Sequence, residues 1–377
     1  MNWIIRIALD GHEPEEVSSL VRQTLRVSMN RRRFIKNFGA LPMAVGLPQL
    51  AMGQTAQPDW QSLKAGYALR LKKMLASGAL PYIDIESSCN STKIDVQAVA
   101  RSMDALNIGL MALSADIGKN RFAEGVRYDD LSKRLLASFP DRFIPIGNGG
   151  QPPALTDAPG EFLDAQEQAA REGQILLLGE YEFRHYPSPR QAKRDTEERD
   201  VDIPLDGPAG HRLFRLSEAT GLPFQIHYEI EDALLPVLEK MLEQYPRARV
   251  VWCHLAQVRY LERASRYSPS YVEGLIQRFP QLCFDTAFGD GSSIYPPSGQ
   301  KHSRIWNGDT LKKEWRDLIV AHPRRFLSAL DLGQDRMHRM NEYDAKHRRF
   351  LDQLPEEARH QVAWRNAWRL LFGEEFG

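Results

Sequence analysis

The sequence predicts a (β/α)8 barrel, and three observations carry that prediction. Short apolar runs bounded by Gly, Pro or polar residues recur along the chain, helix-patterned stretches separate them, and several runs end in His, Glu or Asp. Apolar strands alternating with amphipathic helices indicate a parallel sheet buried on both faces. Eight such units fit a closed barrel, whose chemistry sits at the C-terminal ends of its strands. An open doubly wound sheet is the competitor, but it usually carries a Gly-rich phosphate loop after its first strand. Here the first run leads instead into Glu86-Ser87-Ser88-Cys89-Asn90.

The elements follow in order. Residues 63–77 have helical spacing, with Leu69, Leu71 and Leu75 among basic residues. The predicted strands are 82–85, 108–113, 143–146, 175–178, 224–226, 250–253, 282–284 and 325–330. Helices are predicted at 95–106, 131–139, 159–172, 210–220, 234–245, 270–279 and 308–321. Residues 184–210, rich in charge and proline, read as a long loop that would form a lid on a catalytic face. Residues 356–372, rich in Trp and Leu, read as one closing helix packed on the barrel.

The N-terminal region divides differently. Residues 1–28 carry no motif and precede a second methionine, Met29, so they read as an upstream extension. Residues 29–57 contain Asn30-Arg31-Arg32-Arg33-Phe34-Ile35-Lys36 and then a mildly apolar stretch broken by Pro42 and Pro48. This resembles a twin-arginine (Tat) export signal, and the stretch is too broken for a membrane span. The resemblance implies passage through the Tat machinery, a periplasmic location and a mature protein starting near residues 54–57. Residues 58–377 then form a single barrel domain.

Composition limits the partners. The chain has 377 residues and a net charge of +0, which removes an electrostatic case for nucleic acid or an acidic membrane surface. A small molecule is the expected partner, and self-association is left open. Cys89, Cys253 and Cys283 have no Cys-x-x-Cys spacing, which argues against a disulfide framework or a zinc ribbon.

The strand ends carry the chemistry. Phe224–Glu229 and Val250–Leu255 each place a histidine, His227 or His254, at the downstream end of an apolar run. Parallel neighbours would project these two imidazoles side by side from one edge. Such a pair is a metal site or an acid–base pair, the plainer alternative being two histidines satisfied by loop carbonyls. The other strand ends offer Glu86 and Ser88, Ser114 and Asp116, Asn148, Glu180 and Glu182, Asp285, and Asp331. Glu180 and Glu182 share strand parity, so either could be the inward one. Glu86, Asn148, Glu182 and Arg184 are read as substrate-facing, whereas His185 is read as an exposed or substrate-facing loop residue.

Taken in order, Gly179-Glu180, His227, His254, Asp331 and the closing Asn366-Ala367-Trp368-Arg369-Leu370-Leu371-Phe372 resemble the amidohydrolase superfamily, in its compact metal-dependent branch. The likeness runs from about Pro81 to Gly373. One departure is large. The first strand of that family normally ends in His-x-His, and here the stretch is Asp84-Ile85-Glu86-Ser87-Ser88.

The resemblance implies that the more buried of two metal positions is lost or weakened. It implies that the other is kept by Glu180, His227 and His254, which could hold one divalent metal, zinc or iron(II). N-acetylglucosamine-6-phosphate deacetylases are similar in lacking the first-strand histidines yet holding one metal. His227, His254 and Asp331 would be the catalytic residues, with Asp331 accepting a proton from water and delivering it to the leaving group. The expected activity is hydrolysis of an amide, lactone or ester in a small molecule. Three alternatives stay open: a metal-independent lactonase, a nonoxidative decarboxylase, and a barrel that binds a small molecule without catalysis.

Overall fold

The computed structural model describes residues 59–193 and 199–377. The upstream extension, the twin-arginine motif and the cleavage region therefore lie outside the described residues, as do residues 194–198 within the long loop.

Eight parallel strands form the centre: β1 (Tyr82–Cys89), β2 (Ile108–Ala115), β3 (Phe143–Ile144), β4 (Leu178–His185), β5 (Phe224–Tyr228), β6 (Val250–Trp252), β7 (Leu282–Asp285) and β8 (Phe326–Leu327). They pair as two sheets, β1-β2-β3 and β8-β7-β6-β5-β4. Hydrogen bonds join these sheets along both seams. At one seam Leu176 N–H donates to Pro145 O at 2.9 Å, Gly147 N–H to Leu177 O at 3.0 Å and Gly150 N–H to Glu180 O at 2.7 Å. At the other, Ile85 N–H donates to Ser328 O at 3.1 Å, Asp331 N–H to Glu86 O at 3.0 Å and Ser88 N–H to Leu332 O at 2.8 Å. The sheet thus closes on itself as a (β/α)8 barrel, in the order the alternation predicted.

Amphipathic helices cover the outside. Pro159–Arg171, Leu235–Gln244 and Pro269–Arg278 each bury one apolar face and begin with proline at the first turn, where its missing N–H costs nothing. The helix Trp60–Ala76 packs over the start of β2, where Arg70 Nε donates to Gly109 O at 2.7 Å. A Cβ on Gly109 would come within 2.5 Å of Leu71 Cδ2, so this close approach requires glycine.

Several elements differ from expectation, among them the fourth strand, expected at 175–178 and found at Leu178–His185, and three more have a local reason. Strand β1 runs to Cys89 rather than stopping at residue 85, because Asp84, Ser87 and Ser88 find hydrogen-bond partners inside the barrel. Asp84, fully buried, accepts from Glu86 N–H at 3.2 Å, Leu330 N–H at 3.0 Å and Ser87 Oγ at 2.7 Å, stitching β1 to the chain after β8. The described residues of the predicted lid include regular structure. Val201–Asp202 adds an antiparallel strand to the end of β4, and Pro189–Ala192 forms one helical turn with a capping box.

The closing helix is not uniform either. It runs Glu356–His360, a π-helical Gln361–Arg365, and Asn366–Phe372. The wider turn leaves the Val362 carbonyl facing outward, where it accepts from Ser328 N–H at 3.2 Å and Ser328 Oγ at 3.1 Å. Asn366 Nδ2 then donates to Pro323 O at 2.6 Å and Phe326 O at 2.7 Å. The family-like ending is in this way a clamp on β8. All three cysteines are free thiols, and no described helix is long and apolar enough to cross a membrane.

Candidate active site

Glu180 on β4, His227 on β5 and His254 after β6 meet at the C-terminal ends of adjacent strands. Glu180 Oε1 lies 3.2 Å from His227 Nδ1 and 3.1 Å from His254 Nε2, and the two ring nitrogens are 3.0 Å apart. The opposite nitrogens have their own acceptors. His254 Nδ1 donates to Ala287 O at 3.0 Å, and His227 Nε2 donates to Glu229 Oε1 at 3.2 Å. Those bonds orient both rings and turn the remaining nitrogen of each toward Glu180. The set could hold one metal ion: a carboxylate and two imidazoles, every donor within 4.8 Å of the others.

The electrostatics of the cluster agree with that chemistry. Burial opposes the charge on Glu180, yet His254 and His227 beside it hold its carboxyl well below the usual range. Burial also opposes protonation of His254, but Glu180 and Asp285 push it up to about 10. His227 shifts upward for the same reason, with Glu180 overcoming burial. The carboxylate therefore demands positive charge at the point where the three donors converge.

Glu229 steadies this arrangement from behind. Its Oε1 accepts from Arg259 Nε at 2.8 Å and from Tyr186 N–H at 3.1 Å besides holding His227. Burial pushes against ionisation, but Arg259 and His227 bring its pKa to about 2. Asp285 at the end of β7 accepts from His254 N–H at 2.8 Å and Ala287 N–H at 3.0 Å. His254 needs this support because its φ of 62° lies in the left-handed region, as does Asp331 at 49°. Non-glycine residues in that region cluster at functional sites, where the surrounding structure holds them.

The remaining sequence-predicted residues divide into two sets. Glu86 is buried near the cluster, with Oε2 unpartnered among the described residues. Burial, reinforced by Asp331 and Glu180, pushes its carboxyl well above the usual range. Asp331 lines an adjoining cavity, and Arg336 grips it with Nη1 at 3.0 Å and Nη2 at 2.8 Å.

Asn148, Glu182 and Arg184 are committed elsewhere. Asn148 exchanges two 2.9 Å bonds with the Asp129 backbone and also meets Gln166, so the structure does not bring it to the site. Glu182 is buried against Arg199, which answers the parity question: both glutamates point inward, and Glu180 is the one facing the histidines. Arg184 pairs with Asp200 at 2.6 Å and stacks on Tyr186 at 3.8 Å, which places it at the rim. His185 is buried rather than exposed, with its ring 4.3 Å from that of His227.

Sequence reasoning passed over Glu229 and Arg259 as site residues. The signal for Glu229 was present, since His227 and Glu229 share strand parity and hence a face. Nothing in local pattern marks Arg259, which lies in a loop.

Comparisons with known proteins place this geometry in context. No curated protein matches the chain. Among solved structures it is similar to a dihydroxybenzoic acid decarboxylase from Polaromonas with bound manganese and 2-nitroresorcinol, at 13% identity over 77% of this chain and 96% of that one, TM-score 0.45. It is also similar to an amidohydrolase from Burkholderia multivorans with bound zinc, at 12% identity over 77% and 98% of the two chains, TM-score 0.39. A third is the organophosphorus hydrolase of Deinococcus radiodurans, at 12% identity over 78% and 92%, TM-score 0.46. The profile of the amidohydrolase family, Amidohydro_2, matches residues 97–373, beginning just after the strand whose histidines are missing. That match spans more than half of the chain, and the protein belongs to the amidohydrolase family.

Proposed function

We propose that this protein is a hydrolase of the amidohydrolase type, acting on an amide, lactone or ester bond of a small molecule with one divalent metal ion held by Glu180, His227 and His254. The observation that carries the proposal is the 3.0–3.2 Å convergence of Glu180 Oε1, His227 Nδ1 and His254 Nε2, with both outer ring nitrogens already donating. Zinc suits this donor set, and iron(II) is accommodated by it as well. When bound, such an ion polarises a scissile carbonyl and lowers the pKa of water from about 15.7 towards roughly 7.

The chain's own residues do the rest. Ala287 O and Glu229 hold the two imidazoles oriented. Asp331, one third exposed and lining the cavity, is the carboxylate placed to take a proton from the attacking water and return it to the leaving group. Arg336 fixes its two oxygens. Export through the twin-arginine pathway belongs to the same proposal, supported by residues 30–36. Replacing Arg31 and Arg32 with lysine should retain the protein in the cytoplasm, and unchanged periplasmic recovery would end that part.

The enzymatic reading is tested with a panel of lactones, esters and amides, assayed before and after chelation. Hydrolysis should fall at least 100-fold on chelation and return with added zinc or iron(II). Activity untouched by chelation but lost in Asp331→Asn would replace this reading with metal-independent lactone hydrolysis. Carbon dioxide release from aromatic acids, without hydrolysis, would replace it with decarboxylation.

A further inference from the structure

A cavity of about 250 Å3 adjoins the candidate site and shares Ala287 and Asp331 with it. Phe288 and Trp306 supply apolar wall, while Arg259, Arg336 and Lys346 bring positive charge. Most of that charge is matched within the chain. Arg336 holds Asp331 with two nitrogens, and Lys346 Nζ sits 2.7 Å from Asp290. Arg336 Nε is buried without a hydrogen-bond partner among the described residues, with Asp335 Oδ1 3.8 Å away.

Arg259 also has a nitrogen to spare. Its Nε is taken by Glu229, but its Nη1 is buried and has no hydrogen-bond partner among the described residues. His302, lining the same cavity, likewise has a buried Nδ1 without a partner. Both residues are 5% exposed. A buried guanidinium N–H left without an acceptor is strongly unfavourable, and more so than a neutral donor. Arg259 Nη1 and His302 Nδ1, both on this cavity, describe a receptor for an acceptor group.

We infer that Arg259 Nη1 and His302 Nδ1 form an anion subsite for the carboxylate of a small ring-bearing acid, whose ring lies along Phe288 and Trp306. The inference rests on the hydrolase reading above and names the substrate class for that site. One free guanidinium nitrogen beside the imidazole nitrogen offers two donors, which suits the two oxygens of one carboxylate. Asp331 and Asp290 nearby would oppose a phosphate dianion. The cavity volume admits one ring.

The test uses benzoate and its neutral isostere benzamide, titrated calorimetrically into the full chain in metal-supplied and chelator-treated forms. Benzoate should bind at least ten-fold tighter than benzamide in both forms. Arg259→Gln should remove that preference. His302→Leu, which leaves the Arg259–Glu229 pair in place, should reduce it several-fold. Equal binding of the two probes, or benzoate preference unchanged in both variants, would overturn the subsite. So would preference seen only in the metal-supplied form, since the ion would then be the carboxylate's partner. Preference that persists in a protein shown to take up no metal would leave the subsite standing while the metal reading falls.

Discussion

The two sides of the barrel mouth use their polar atoms in opposite ways. On the β5–β6 side, His227 and His254 each spend one nitrogen on a fixed acceptor and turn the other toward Glu180. On the β1 side, where related barrels carry two more imidazoles by the resemblance drawn above, Asp84 and Ser87 bond inward to the chain after β8. Ser88 bonds to Asp116 at 2.9 Å, and Glu86 is buried without a partner for Oε2. The first side is arranged for a ligand and the second for holding the barrel shut. Glu86, His254 and Asp285 do form a second compact donor group. His254 has only one uncommitted ring nitrogen, however, and that nitrogen lies 3.0–3.1 Å from the first group. One lone pair serves one ion, which is why a single metal position is proposed.

Substitutions can break or sharpen this contrast. The largest effect is expected for Asp331→Asn, which should lower turnover by about 10²–10⁴-fold while leaving metal content unchanged. Turnover within ten-fold of wild type would remove Asp331 from the chemistry. Glu229→Gln should weaken metal affinity by roughly 10–100-fold, because it frees the His227 ring without removing a donor. A competition titration against a chelating dye reads this directly, and wild-type affinity would show that Glu229 only packs.

Asp84→Ala should leave metal binding alone but destabilise the fold by about 2–4 kcal/mol, since three buried donors lose their acceptor. Urea unfolding checks the stability, and an unchanged midpoint would contradict the stitching role of β1. A further effect is confined to acid pH. Burial drops the pKa of His347 to about 3, against about 6.5 unfolded, so its neutral form stabilises the fold above pH 6.5. That contribution is lost as pH falls from about 6.5 toward 3, by about 1.4 kcal/mol per pH unit. His347→Gln should flatten the stability profile in that window, and a parallel profile would exclude His347 as its source.

Much of this was legible because barrels put chemistry where apolar runs end. His227 and His254 stand at such ends, and Asp331 follows the last run, so order alone suggested one mouth. Glu86 and Glu182 show what pattern does not reveal. A carboxylate in a buried strand looks like a strand terminus, and β1 was cut at residue 85 when it continues to Cys89. Its polar residues are tolerated by hydrogen bonds from residues roughly 245 positions away in the chain. Asn148 had the right residue type and position, but its partners, Asp129 and Gln166, come from neighbouring elements that no local spacing connects. Arg259 and Arg336 sit in loops after strands, where only the folded chain shows which cation is already paired.

Metal stoichiometry by elemental analysis tests the central claim most directly, comparing wild type, His227→Ala and Glu86→Gln expressed with metal supplied. Wild type and Glu86→Gln should each carry about one equivalent, and His227→Ala less than about a tenth, as expected when one of three ligands is removed. Two equivalents in wild type, or an empty Glu86→Gln, would contradict a single ion on the β5–β6 side.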